Sequence, residues 1–120
     1  MLTLGEEMSR IGRHYGNRTA VVDESSSLSW KDFSTRIATA AGMLRGLGIE
    51  PGQRIAIYSR NSARFDELKW GAFHAGIVAV PINWRLAPPE IAHILQDSKC
   101  EPIFIEEDFV DIFDSPELQP

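Results

Sequence analysis

Residues 52–102, GQRIAIYSRNSARFDELKWGAFHAGIVAVPINWRLAPPEIAHILQDSKCEP, read as strand, helix, strand, helix and the approach to a third strand. Arg54–Ser59 is a β-branched apolar run entered through Pro51-Gly52, and Asn61-Ser62 offers side-chain acceptors to open a helix. Phe65, Leu68, Ala72 and Phe73 keep one helical face as far as Ala75-Gly76, which stops it. Ile77–Ile82 is almost wholly apolar, as expected of a strand buried on both faces. Pro88-Pro89-Glu90 opens the next helix, with proline where its missing N–H does no harm and an acid near the positive end. Strands alternating with helices of this length predict a parallel sheet joined by crossovers.

The rest of the chain extends that frame. Leu4, Met8, Ile11 and Tyr15 form one apolar helical stripe, which Gly16-Asn17 ends. Thr19–Asp23 and Leu28-Ser29 are short strands around a polar turn, a hairpin expected at the sheet's edge. Ser29-Trp30-Lys31-Asp32 resembles a capping box and starts a helix with Trp30, Phe33, Ile37, Ala41 and Leu44 on one face. Gly46-Leu47-Gly48 closes it, a glycine supplying the left-handed end. Pro102–Ile105 is a further strand, Glu106–Phe113 a loose helix, and residues 114–120 a tail expected to fray. The fold class is therefore α/β, a small and mainly parallel sheet flanked by helices, with an N-terminal helix and a short edge hairpin. Residues 1–120 are read as a single α/β domain, since no linker or repeat divides them.

Composition removes several classes of function. Lys+Arg minus Asp+Glu is 12 − 17 = −5, so no basic field awaits nucleic acid or an anionic membrane. No apolar run approaches the roughly 18 residues of a membrane span. The opening MLTLGEEMSRIGRHYG lacks a basic leader followed by an apolar block, so a cytoplasmic location is expected. One cysteine, Cys100, permits neither an intrachain disulfide nor a thiolate cluster.

Function enters through a pattern. Gly52-Gln53-Arg54-Ile55-Ala56-Ile57, Asn61-Ser62, Gly71-Ala72, Ala75-Gly76, Val80-Pro81-Ile82-Asn83-Trp84-Arg85-Leu86, Glu90-Ile91 and Ile94-Leu95-Gln96-Asp97-Ser98 follow one another in fixed order. This resembles the N-terminal part of the adenylate-forming (AMP-binding) enzymes: acyl-CoA synthetases, firefly-type luciferases and peptide-synthetase adenylation domains. The Val-Pro-x-Asn-x-Arg-Leu segment followed by Pro-x-Glu leans towards fatty-acyl and aryl-acid CoA ligases. Asn17–Asp23 and Leu28–Gly48 fit the family's opening too. The resemblance implies ATP, Mg²⁺ and coenzyme A for the full-length family, none of them held by this fragment. It implies acyl-CoA, AMP and pyrophosphate as products. The Gly-rich phosphate loop with its lysine, the aromatic-Gly-Thr-Glu segment, the ribose-binding Asp and the C-terminal lysine are not among these residues. The expectation is a truncated N-terminal piece, inactive alone.

Ser25-Ser26-Ser27 has hydroxyls and turn amides that bind anions, but no glycine or lysine in place, and reads as a solvated turn. Gly42, Gly46 and Gly48 end a helix instead of following a strand, so they are no nucleotide fingerprint. His14, His74 and His93 lack metal-ligand spacing, and Cys100 reads as a small buried hydrophobe. No catalytic residue and no metal ligand is assigned. Arg85 is the candidate for ligand contact. The resemblance implies that it reaches a phosphate of coenzyme A, and the alternative is a pairing with Glu90 or Asp97. Asn83 is expected to satisfy loop backbone groups, and Trp70 to belong to a packed face.

Two further classes remain. A receiver-like regulatory module needs an acidic pair after its first strand, for which only Asp23-Glu24 qualifies, and it fits poorly. An interaction domain without catalysis is the other. The uncovered edge of the last strand, with Phe104, Phe109, Val110, Ile112 and Phe113 beside it, predicts self-association as a dimer.

Overall fold

Thr3 begins the described chain as a helix cap: its hydroxyl accepts from the Glu6 N–H at 3.1 Å, and the Glu6 carboxylate accepts from the Thr3 N–H at 3.0 Å. A computed structural model describes residues 3–119. The elements in order are α1 (Leu4–His14), β1 (Thr19–Val22), β2 (Ser27–Ser29), α2 (Trp30–Gly46), β3 (Arg54–Tyr58), α3 (Ala63–His74), β4 (Val78–Ile82), α4 (Pro88–Ser98) and β5 (Ile103–Ile105). Two 3-10 segments follow, Glu107–Asp114 and Pro116–Leu118. The expected tail thus contains one ordered turn, and Pro120 lies outside the described residues.

The chain gathers into two compact units. One takes in the residues up to Gly52 with Asn61–Ile77; the other takes Gln53–Arg60 with the residues from Val78 onward.

In the first unit Met8, Phe33 and Ile37 are buried together, with Ile11, Ala20, Val21, Leu28, Trp30 and Trp70 packed against them. The apolar stripe of α1 is used in its middle only, because Leu4 and Tyr15 at its ends stay exposed. Antiparallel β1 and β2 form a two-stranded sheet of their own, with a bulge between Thr19 and Val21, and not the edge of a larger sheet. Ser29 caps α2 by accepting from the Asp32 N–H at 3.1 Å. The return bond that Glu6 makes in α1 is absent here, since the Asp side chain is one methylene shorter. Phe33, Ile37, Ala41 and Leu44 bury the expected face of α2. Gly48 and Gly76, with φ of 85° and 76°, turn the chain after α2 and α3 in the region that favours glycine. Close approach of α2 and α3 depends on Gly71, where a Cβ would lie 2.7 Å from the Ala40 Cβ.

In the second unit the sheet order is β4-β3-β5, all parallel, with Ile57 opposite both Pro81 and Phe104. Residues 55–58 of β3 are fully buried, as a central strand requires. β4 is an edge strand, which corrects the expectation of burial on both faces: Val78 and Pro81 are exposed. Proline is tolerated there because an edge strand need not donate on its outer side. Ala56, Tyr58, Ile82 and Ile91 form the core of this unit. Leu86, Ile94, Leu95, Cys100, Ile103 and Ile105 pack around it, joined by Phe109, Ile112, Phe113 and Leu118 from the 3-10 segments. Most of the apolar patch expected beside β5 is therefore tucked inward, and Val110 is the member left exposed.

Candidate functional site

Parallel strands bring their carboxyl ends to one side, and the residues that follow β3, β4 and β5 meet there. Tyr58 ends β3, fully buried, and donates its hydroxyl to the Trp84 carbonyl at 2.8 Å. Burial pushes its phenol pKa up. The Tyr58 ring meets Phe109 edge to face at 5.4 Å and Phe113 at 5.3 Å. Phe109 stacks on the Trp84 indole at 5.7 Å with the planes 14° apart.

Two arginines flank these rings. The Arg60 guanidinium carbon lies 5.1 Å from the Phe109 centroid, and the Arg85 carbon 5.0 Å from the Trp84 centroid. Arg60 is engaged by two carboxylates: its Nη2 donates to Glu106 Oε1 at 2.8 Å and to Asp108 Oδ2 at 2.5 Å, and its backbone N–H donates to Glu106 Oε2 at 3.0 Å. That guanidinium holds the Glu106 carboxyl below its usual range. Arg85 makes no ion pair among the described residues, so the alternative pairing with Glu90 or Asp97 is not formed. Glu90 instead accepts from the Ala87 N–H at 3.2 Å, capping α4. Asn83 Oδ1 accepts from the Arg85 N–H at 3.0 Å and shapes the loop. An exposed guanidinium with its donors unclaimed suits a phosphate.

The serine turn is different. Asp23 Oδ1 accepts from the N–H groups of Ser25 at 2.9 Å and Ser26 at 2.8 Å, while Oδ2 accepts from the Ala63 N–H at 2.9 Å. The Ala63 and Ser25 amides hold the Asp23 carboxyl well below the usual carboxylate range. The anion in this turn is the protein's own aspartate, so the turn does not fit ATP phosphates, and Asp23 serves α3 as an added cap. The same bonds remove it from a receiver-like acidic pair.

His14 and His93 are exposed and His74 is half-buried at the end of α3. Among the described residues no group of three His, Cys, Asp or Glu side chains could hold a metal ion. Cys100 is half-buried and its sulfur accepts from the Ser98 hydroxyl at 3.1 Å. A surface pocket of about 460 Å³ in the first unit is lined by Thr3, Gly5, Glu6, Ser9, Arg10, Arg13 and His74. Sequence reasoning singled out Arg85 but missed Tyr58, Arg60, Glu106 and Phe109. Their one shared signal is that each ends or closely follows a strand of the parallel set.

The AMP-binding enzyme family model matches residues 8–119. The fatty acid–[acyl-carrier-protein] ligase ScoC of Streptomyces coeruleorubidus is 35% identical over 107 residues, covering 89% of this chain and 21% of that protein. A 4-hydroxybenzoate–CoA/benzoate–CoA ligase of Rhodopseudomonas palustris is 33% identical over 99 residues, covering 82% and 18%. The chain spans about a fifth of the length of these curated relatives. The inhibitor-bound N-terminal domain of FACL13 from Mycobacterium tuberculosis superposes with a TM-score of 0.92 at 30% identity, covering 99% of this chain and 30% of that one. Among the described residues no helix is long and apolar enough to cross a membrane. The resemblance first read between Gly52 and Ser98 holds over nearly the whole sequence, and the chain belongs to the AMP-binding enzyme family.

Proposed function

We propose that these 120 residues are an N-terminal piece of a larger adenylate-forming domain, in a ligase that joins a carboxylic acid to coenzyme A with ATP cleaved to AMP and pyrophosphate. The observation that carries this is the family match over residues 8–119, together with relatives that act on fatty and aryl acids. The reaction is read as cytoplasmic and as part of fatty-acid metabolism. The piece by itself is inactive. Adenylation needs donors and positive charge around the phosphates, and the Ser25-Ser26 amides that come nearest to such a cradle are taken by Asp23. Titrating Mg²⁺-ATP into the isolated chain should give no saturable heat or spectral change. Stoichiometric binding would contradict the proposal.

Arg85 is the residue of this piece that meets the ligand, through a phosphate of coenzyme A. Its support is the guanidinium beyond the carboxyl end of β4, which among the described residues makes no ion pair. Self-association belongs to the same proposal. β5 lies at one end of the three-strand order, and among the described residues no further strand pairs with its outer edge. With most nearby aromatics packed inward, the strand edge is the surface that joins two copies. Sedimentation at micromolar concentration should find a dimer, and a clean monomer at all concentrations would refute it.

A further inference from the structure

Arg60, Phe109, Trp84 and Arg85 follow one another as a chain of contacts, guanidinium over phenyl, phenyl stacked on indole and guanidinium over indole, with successive separations of 5.1, 5.7 and 5.0 Å. Its members come from the exits of three different strands. The two ends differ in chemistry. Arg60 is paired with Glu106 and Asp108, whereas among the described residues Arg85 has no carboxylate partner. Stacking occupies the face of a guanidinium and leaves the N–H donors in its plane available. An arginine held this way is fixed in direction yet still able to meet an anion. Trp84 is the platform, and it is held twice: its carbonyl accepts from Tyr58, and its ring lies on Phe109. Phe109 is in turn braced edge-on by Tyr58.

We propose that Phe109, acting through the Trp84 indole, is a positioning residue that presents the Arg85 guanidinium to a phosphate-bearing ligand. Only the identity of the ligand rests on the reading of Arg85 as a coenzyme A contact; the positioning stands on the stack. Without the Phe109 ring the indole loses the surface beneath it, and Arg85 samples the open rotamers of an unsupported side chain.

The test follows the Arg85 Nε–H resonance by NMR in a full-length ligase carrying this segment, assigned with Arg85→Lys, during titration with coenzyme A. In the unaltered protein the indole ring current should displace this resonance from that of free arginine. Phe109→Leu should return it to the free position and weaken coenzyme A binding roughly threefold to fivefold, the loss of one stacked cation. Phe109→Tyr keeps the ring and should keep both properties. Should Phe109→Leu fail to fold, Phe109→Met fills the volume without a ring and is read in the same way. An undisplaced Arg85 signal in the unaltered protein overturns the proposal. So does one that ignores Phe109→Leu while the β3, β4 and β5 amides stay native. If coenzyme A leaves the resonance unmoved but Phe109→Leu still releases it, positioning is upheld and the coenzyme A reading of Arg85 fails.

Discussion

Arg85→Ala, placed in a full-length ligase carrying this segment, is expected to raise the coenzyme A requirement about tenfold or more while acyl-adenylate formation stays normal. The split follows from chemistry. In the proposed reaction coenzyme A enters in the second half, and among the described residues no carboxylate claims the donors of Arg85. A hydrogen bond to a charged group contributes about 1.5–3 kcal/mol, which corresponds to roughly tenfold to a hundredfold in affinity. Separate assays of pyrophosphate exchange and thioester formation measure the two halves. An unchanged thioester step at limiting coenzyme A, with normal stability, would return Arg85 to a loop-shaping role. An equal loss in both halves would mean that it supports the site as a whole.

Ile91→Ala is expected to be the most damaging simple truncation in the second unit, at about 2–5 kcal/mol. Ile91 is 0% exposed and shares its core with Ala56, Tyr58 and Ile82. The cost joins lost apolar burial to a cavity that its neighbours cannot fill, since Tyr58 is fixed by its hydroxyl bond to the Trp84 carbonyl. Small domains are stabilised by only about 5–15 kcal/mol, so a large share of the total is at stake. Urea unfolding followed by far-ultraviolet circular dichroism measures it. A loss below about 1 kcal/mol would show that α4 is not anchored through this side chain.

Periodicity made much of this fold legible. The face of α2, the alternation from β3 to α4 and the glycines after α2 and α3 all depend on neighbours within a few residues, which a sequence displays. Burial of β4 was not legible, because an apolar run looks the same in a central strand and at an edge. Strand order decides it, and the order β4-β3-β5 is a property of the whole sheet. Glu107–Asp114 showed helical apolar spacing but folds as 3-10 turns that carry Phe109, Ile112 and Phe113 into the core. The candidate site divides in the same way. Arg85 stood out within a short ordered motif, while Phe109 reaches it only after parallel pairing has gathered three strand exits. Asp23 stands out in the sequence only as half of the acidic pair of a poorly fitting receiver-like module. Its ties to Ser25, Ser26 and the distant Ala63 amide gave it a structural task.

On the proposed function, this chain supplies scaffold and a ligand-facing arginine to an AMP-forming ligase, and adenylation requires residues beyond it. Pyrophosphate release by the isolated 120-residue chain, with ATP, Mg²⁺ and a panel of fatty and aryl acids, tests it most directly. The expected rate equals the no-protein blank for every acid. Acid-dependent release above that blank, abolished by heat, would contradict it.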